Sequence, residues 1–168
     1  MSTLITEPRV QEASINDPET RAAIATILSE QRAGVLCTCF MDIPHCSQMA
    51  FAAGDEQRSL FIVTPRPTTK YGNMKSNPNV SFLISTARND PADPVTAKAL
   101  TITALAKELD GERRHRVVAL FSQRHPALAA FAAATTSVVM ELKVSGYSLI
   151  DNFQQVTLIG VGESLEPG

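Results

Sequence analysis

The sequence predicts a mainly β fold, a closed or split antiparallel barrel with short helices inserted between its strands. Two observations point there. Several short, β-branched apolar runs are bounded by Gly, Pro, Asn and Asp, as strands and their turns are. They are not spaced by the regular crossover helices that a parallel sheet requires. The 138–144 run adds a clear alternation, with Val138, Met140, Leu142 and Val144 on one face and Glu141 and Lys143 on the other.

Size and charge set the frame. A chain of 168 residues and 18.1 kDa fits a single domain, residues 1–168, large enough to bury a core. Hydrophobic residues make up 44% and charged residues 19%, which argues against disorder. A net charge of −2 gives no general attraction to nucleic acid. No apolar run approaches the roughly 20 residues of a membrane span, and Met1 to Ser14 lacks the apolar segment of a signal peptide. The expectations are a cytoplasmic protein with no membrane and no nucleic-acid partner. No internal repeat is visible.

Residues 1–14 read as a loose arm. Asp17-Pro18-Glu19 then starts a helix, with Asp17 as N-cap, Pro18 at the first helical position and acid in the first turn. Ala23, Ile24, Ile27 and Leu28 form its apolar face, and Gly34 is the expected stop. Val35–Phe40 and Ser47–Ala53 read as a hairpin turning through Asp42-Ile43-Pro44. Cys37, Cys39 and Cys46 cluster here with His45. A Cys-x-Cys within an apolar strand lacks the loop geometry of a metal knuckle, so these are expected as small buried core residues and no metal is expected. His45 reads as a turn residue without a catalytic task.

Leu60–Val63 is a buried strand that stops at Thr64-Pro65, because proline lacks a backbone donor. Arg66-Pro67-Thr68-Thr69 connects it to a short helix, Lys70–Ser76, with Thr68 or Thr69 placed to cap it. Asn77-Pro78 ends that helix, since the residue before proline is pushed out of the α region. Val80–Ile84 is the next strand. The segment 87–94 is a polar loop, and Leu100–Leu109 a long strand closed by Asp110-Gly111. A helix over Glu112–Gln123 turns Val117, Leu120 and Phe121 inward, and the Arg113–Arg116 run reads as a solvated face able to meet an anion. His125-Pro126 breaks it. Ala127–Ala134 is a second short helix, whose small side chains suit close packing at a subunit interface. Phe153–Val161 is the last strand, and 162–168 a loose tail.

The stretch from Leu60 to Ser85 carries the strongest functional signal. The first turn of a helix offers unpaired N–H groups and partial positive charge, which suit a phosphate. Thr64, Thr68 and Thr69 add hydroxyls, and Arg66 and Lys70 add full charges. Simple caps and a solvated cationic face explain the same residues equally well on local pattern alone.

Thr64, Lys70, Asn73, Asn77, Pro78, Val80 and Ser81, in this order and spacing, resemble the flavin-binding split-barrel family of pyridoxamine 5'-phosphate oxidase. The resemblance extends from about Ala33 to Val161. It implies a split antiparallel barrel of the FMN-binding type and a homodimer with flavin at the subunit boundary. It also implies an FMN-dependent oxidoreductase acting on a small-molecule redox substrate. Thr64, Thr69 and Lys70 would hold the phosphate, with Arg66 beside them. Backbone groups at Met49, Ala50, Ile62 and Val63 would meet the flavin ring. Specific pyridoxamine 5'-phosphate oxidases use a basic C-terminal segment near a tryptophan. Here no Lys, Arg or His follows Lys143 and tryptophan is absent, so that particular activity is not expected. The deazaflavin F420, with Arg66, Lys75 or Arg113–Arg116 for its acidic tail, is one alternative cofactor. The other alternative is a non-enzymatic haem- or flavin-binding protein that only stores or reports its ligand, with His45, His115 or His125 as the possible haem ligands.

Overall fold

The computed structural model describes residues 9–151 and 154–162. Nine strands and five helices follow in the order β1 (Arg9–Ser14), α1 (Pro18–Glu30), β2 (Ala33–Phe40), β3 (Ile43–Ala50), β4 (Ala52–Ala53), β5 (Ser59–Pro65), α2 (Thr69–Ser76), β6 (Asn79–Ser85), α3 (Asp93–Thr96), β7 (Ala99–Leu109), α4 (Gly111–Arg124), α5 (Ala129–Ala133), β8 (Ser137–Asp151) and β9 (Gln155–Gly160). One sheet contains every strand, in the order β1-β9-β8-β7-β6-β2-β3, with β5 also on β8 and β4 on β5. All pairings are antiparallel except β1 with β9.

The curl of the sheet comes from two strands that change partners. β8 pairs with β5 through residues 137–143 and with β9 through 146–151, while β7 runs along its other side. The β3–β4 strand leaves β2 at Ala50, breaks at Phe51 and joins β5 at Ala52↔Phe61. The barrel therefore nearly closes at Phe51 and stays split beyond it, between the free edges of β3 and β5.

Side chains pointing into the barrel make the main core, with Leu36, Ile62, Phe82, Ile84, Leu100, Ile102 and Met140 all fully buried. Ile24, Ile27 and Leu28 of α1 join it. This helix starts as its sequence predicts, with Asp17 accepting a hydrogen bond from Thr20 N at 2.8 Å. That bond to the charged form holds the Asp17 carboxyl below its usual range. A second apolar cluster lies outside the barrel. There Val117 and Phe121 of α4 and Ala132 of α5 cover Phe61, Val63, Leu109 and Val139.

Several expectations need correction. Residues 9–14 are not a loose arm but strand β1, held along β9 from Arg9↔Gln155 to Ser14↔Gly160; residues 1–8, 152, 153 (with Phe153) and the tail from 163 lie outside the described residues. Gly34 does not stop α1, which ends at Glu30; Arg124 Nη2 donates to the α1 carbonyls of Leu28 and Ser29 and to Gln31 O, and Arg32 Nη1 returns a bond to Arg124 O. Burial, followed by the neighbouring Arg32, lowers the Arg124 pKa. The hairpin turns through Met41-Asp42, both at positive φ (48° and 62°), as a two-residue turn matching strand twist demands. Pro44 and His45 consequently sit within β3. The cysteines are not core residues, since Leu36 and Thr38 take the inward positions of β2; Cys37 and Cys39 are half-buried and Cys46 exposed. Leu120 is not inward but 39% exposed. Strand β8 is covered on both faces over 137–142 because α4 and α5 add the second layer.

Candidate functional site

The β5–α2 connection runs beside the split edge. β5 ends at Pro65, whose neighbour Arg66 still donates its N–H to Thr136 O. Thr68 occupies the N-cap position of α2 in extended geometry, yet its hydroxyl turns back to Pro65 O at 2.9 Å instead of capping. The first helical bond runs from Gly72 N to Thr68 O. The N–H groups of Thr69, Lys70 and Tyr71 therefore have no helical acceptor and no side-chain cap. Asn77 ends the helix in extended conformation before Pro78.

Three polar groups fix this turn. Thr64 is fully buried and its hydroxyl meets Thr68 Oγ1 at 3.2 Å. Asn73, buried on the inner side of α2, donates Nδ2–H to Thr38 Oγ1 of β2 at 3.0 Å. Glu108 of β7 is the hub on the outer side. It accepts from Arg66 Nη2 (3.0 Å) and the Tyr71 hydroxyl (2.8 Å) and pairs with Lys75 (3.6 Å). Arg66 also donates to the Tyr71 hydroxyl at 2.8 Å.

Two of the three local cations thus share one carboxylate as their ion-pair partner. Lys70 is in no ion pair or side-chain hydrogen bond among the described residues. Of the phosphate candidates, Thr69 and Lys70 lie in the uncapped turn, Thr64 is sealed beneath it, and Arg66 is tied to Glu108. Sequence reading missed Glu108, Tyr71 and Thr38 as parts of this site. Glu108 meets Tyr71 and Arg66 across 37 and 42 residues, and Thr38 meets Asn73 across 35, so no local pattern could place Glu108 or Thr38 here.

Burial raises the Glu108 pKa, but the Tyr71 hydroxyl, Arg66 and Lys75 outweigh it, leaving the carboxyl below its ordinary value of 4.5. A carboxyl depressed by folding stabilises above its unfolded pKa, and the contribution fades as pH falls through the folded value. Urea denaturation should find Glu108→Gln less stable than wild type at pH 7, by about 1 kcal/mol for a partly exposed network. The difference should shrink progressively as the pH falls below 4.5. A difference of the same size above and below that pH would mean that the charge is not responsible.

The ring-facing candidates commit their side chains to the two apolar clusters. Met49 and Ile62 belong to the main core, Val63 to the outer cluster, and Ala50 packs against that cluster. Extending the register of β4 on β5 would set Ala50 and Met49 opposite Val63 and Thr64, but the strands part there. Only backbone is left to line the gap. The Phe51 carbonyl at the point of parting accepts from His125 Nε2–H at 2.8 Å, and the Arg124 guanidinium lies 5.5 Å from the Phe51 ring. Cavities of ≈ 660 Å³ between α1 and residues 86–98 and of ≈ 380 Å³ between α1 and α4 lie elsewhere. Neither is lined by any of the phosphate or ring candidates.

The histidines do not converge. His45 sits on β3 beside Ser47 Oγ (3.2 Å), His115 is exposed on α4, and His125 is held at Phe51. The arginine cluster is partly spent: Arg113 pairs with Glu141, which also accepts from Ser59, and Arg114 reaches the Ala134 and Ser137 carbonyls. No group of three metal-ligating side chains occurs among the described residues, and none of their helices is long and apolar enough to cross a membrane.

These features agree with the family to which the sequence assigns the chain. The sequence model of the pyridoxamine 5'-phosphate oxidase family matches residues 20–151, and the chain belongs to that family. No curated protein sequence matches it. Among solved structures, it is similar to the General Stress Protein 26 from Bacillus anthracis, with 22% identity over 79% of this chain and 94% of that one and a TM-score of 0.61. It is similar to HutZ, the heme storage protein from Vibrio cholerae, with 18% identity over 83% and 95% and a TM-score of 0.67. A heme binding protein from Mycobacterium smegmatis matches with 15% identity and a TM-score of 0.72, covering 80% of this chain but 55% of its own length. At these identities the likeness establishes the split-barrel fold.

Proposed function

We propose that this protein binds FMN along the gap between β3 and β5, as a flavin-dependent oxidoreductase for a small-molecule redox substrate. The observation that carries this reading is the uncapped first turn of α2, with Lys70 unneutralised beside it. Phosphate fits three free N–H groups, the Thr69 hydroxyl and one ammonium. Bound flavin would supply hydride or electron transfer, and the chain would supply binding and orientation. Buried Asn73 and Thr38 keep the turn in place. The parted edges at Ala50 and Val63 offer backbone groups to a planar ring.

A homodimer is part of the proposal. One chain walls the gap on one side only, and apolar side chains stand exposed at the turn end of the β2–β3 hairpin and on β7, with Met41 79%, Ile43 70% and Leu105 48% exposed. The alanine-rich segment contributes less than its composition suggests, since Ala132 packs inward on the outer cluster.

Two alternatives are weaker on this chain's own residues. F420 needs several free cations for its acidic tail, whereas Arg66 and Lys75 share Glu108 and Arg113 pairs with Glu141. Two similar structures are by name haem proteins, and haem requires an axial ligand. The three histidines lie on separate elements, with His125 engaged at Phe51. Reconstitution decides between them. Protein incubated with equal concentrations of FMN, F420 and haemin, then passed through gel filtration, should elute as a dimer carrying the flavin absorption bands. A Soret band, or the deazaflavin spectrum, in the protein peak would overturn the FMN reading.

A further inference from the structure

We propose that Cys37 and Cys46 form a reversible cross-strand disulfide, a two-electron thiol site on the β2–β3 hairpin that is independent of any flavin. The two residues are direct register partners, and their sulfurs lie 3.3 Å apart. The type of pair matters. Pro44 has no N–H, so Cys39↔Pro44 is a non-hydrogen-bonded pair. Two positions along an antiparallel ladder, Cys37↔Cys46 is of the same type. Such pairs bring Cα atoms to about 4.5 Å, within the roughly 4.4–6.8 Å that disulfides span, so no backbone rearrangement is needed.

The third cysteine does not compete. Cys39 shares the outward face of β2 but sits diagonally from Cys46, at a spacing of about 7–8 Å between such positions, beyond the disulfide range. Its own register partner is Pro44.

The pair divides the chemistry. Cys46 is exposed on an edge strand, while Cys37 is half-buried. Burial, then the Cys46 hydrogen bond and charge, pushes the Cys37 thiol up to about 11, so Cys37 keeps its proton until its partner is oxidised. With a peroxide as oxidant, Cys46 sulfur takes one oxygen to become a sulfenic acid, and the first water leaves. Cys37 sulfur then attacks Cys46 sulfur, the S–S bond forms, and the sulfenic oxygen departs with the Cys37 proton as a second water. The two thiols lose two electrons and two protons, and one peroxide becomes two waters.

The consequence lies on the same strand. β3 is an edge strand whose ladder partner is β2, and its far end carries Met49 and Ala50 at the split. A bond at Cys37–Cys46 staples this edge against peeling.

Thiol counting on the full chain tests the idea. After hydrogen peroxide treatment, the three thiols per chain should fall to one. The mass should drop by two hydrogens, and peptide mapping should join Cys37 to Cys46. Dithiothreitol should restore all three. Cys39→Ser should still form the bond, and Cys46→Ser, at an exposed position, should form no intramolecular bond. Three surviving thiols, a bond involving Cys39, cross-linked dimers, or a mass gain of oxygen without an internal bond would each overturn the proposal.

Discussion

Gly34→Ala is expected to destabilise the protein by about 3 kcal/mol, the upper end of the usual cost of overpacking a core. A Cβ built at Gly34 would stand 2.4 Å from Phe82 Cε1 and 2.6 Å from the Leu83 carbonyl oxygen. The ring could swing, but the carbonyl belongs to β6, which is fixed by its register with β2 at Val35↔Leu83 and with β7 at Leu83↔Thr101. Phe82 is itself fully buried and packs edge-on against Phe51, the residue where the barrel parts. Relief would therefore push strands apart at the split. Gly72→Ala provides the contrast: its position in α2 has no atom within 4 Å of the new Cβ. There alanine should stabilise by about 0.5–1 kcal/mol through helix propensity. Urea denaturation of the two variants should give shifts of opposite sign. Equal small shifts would mean that β2 and β6 do not approach this closely.

Gly34 also shows where sequence reading stops. A glycine a few residues after an amphipathic helix reads as its terminator, and the real reason for it lies 48 residues away in Phe82. What depends on neighbours in sequence was legible. The Asp17-Pro18 helix start, the strand end at Pro65, the α2 terminus before Pro78 and the β7 strand over 99–109 all follow from local rules. The family, too, was legible in the spacing of Thr64, Lys70 and Asn77-Pro78. What depends on tertiary partners was not. The inward positions of β2 fall to Leu36 and Thr38, which puts the cysteines outside, because register with β6 and α2 fixes the face. The two-sided burial of β8 depends on α4 and α5 returning over it, and strand β1 depends on β9 lying alongside. Thr69 and Lys70 do open α2, as the local helix signals indicated. Arg66 changes meaning once Glu108, from β7, stands next to it.

Titrating wild type, Lys70→Ala and Lys75→Ala with FMN and with riboflavin tests directly whether the α2 turn holds a flavin phosphate. Lys70 stands in the uncapped first turn of an eight-residue helix, where the free N–H groups already favour an anion, and no carboxylate neutralises it. Removing its ammonium deletes one charge-assisted hydrogen bond to the phosphate, about 1.5–3 kcal/mol, or roughly ten- to hundredfold in Kd. Riboflavin carries no phosphate, so its affinity should hardly change. Lys75 lies a turn further along and pairs with Glu108 at 3.6 Å, so Lys75→Ala should leave both ligands nearly untouched. FMN should be weakened by Lys70→Ala alone, and the wild-type preference for FMN over riboflavin should narrow by the same roughly ten- to hundredfold factor. Equal weakening of both ligands, or of neither, would contradict the proposal and place the phosphate away from the α2 turn.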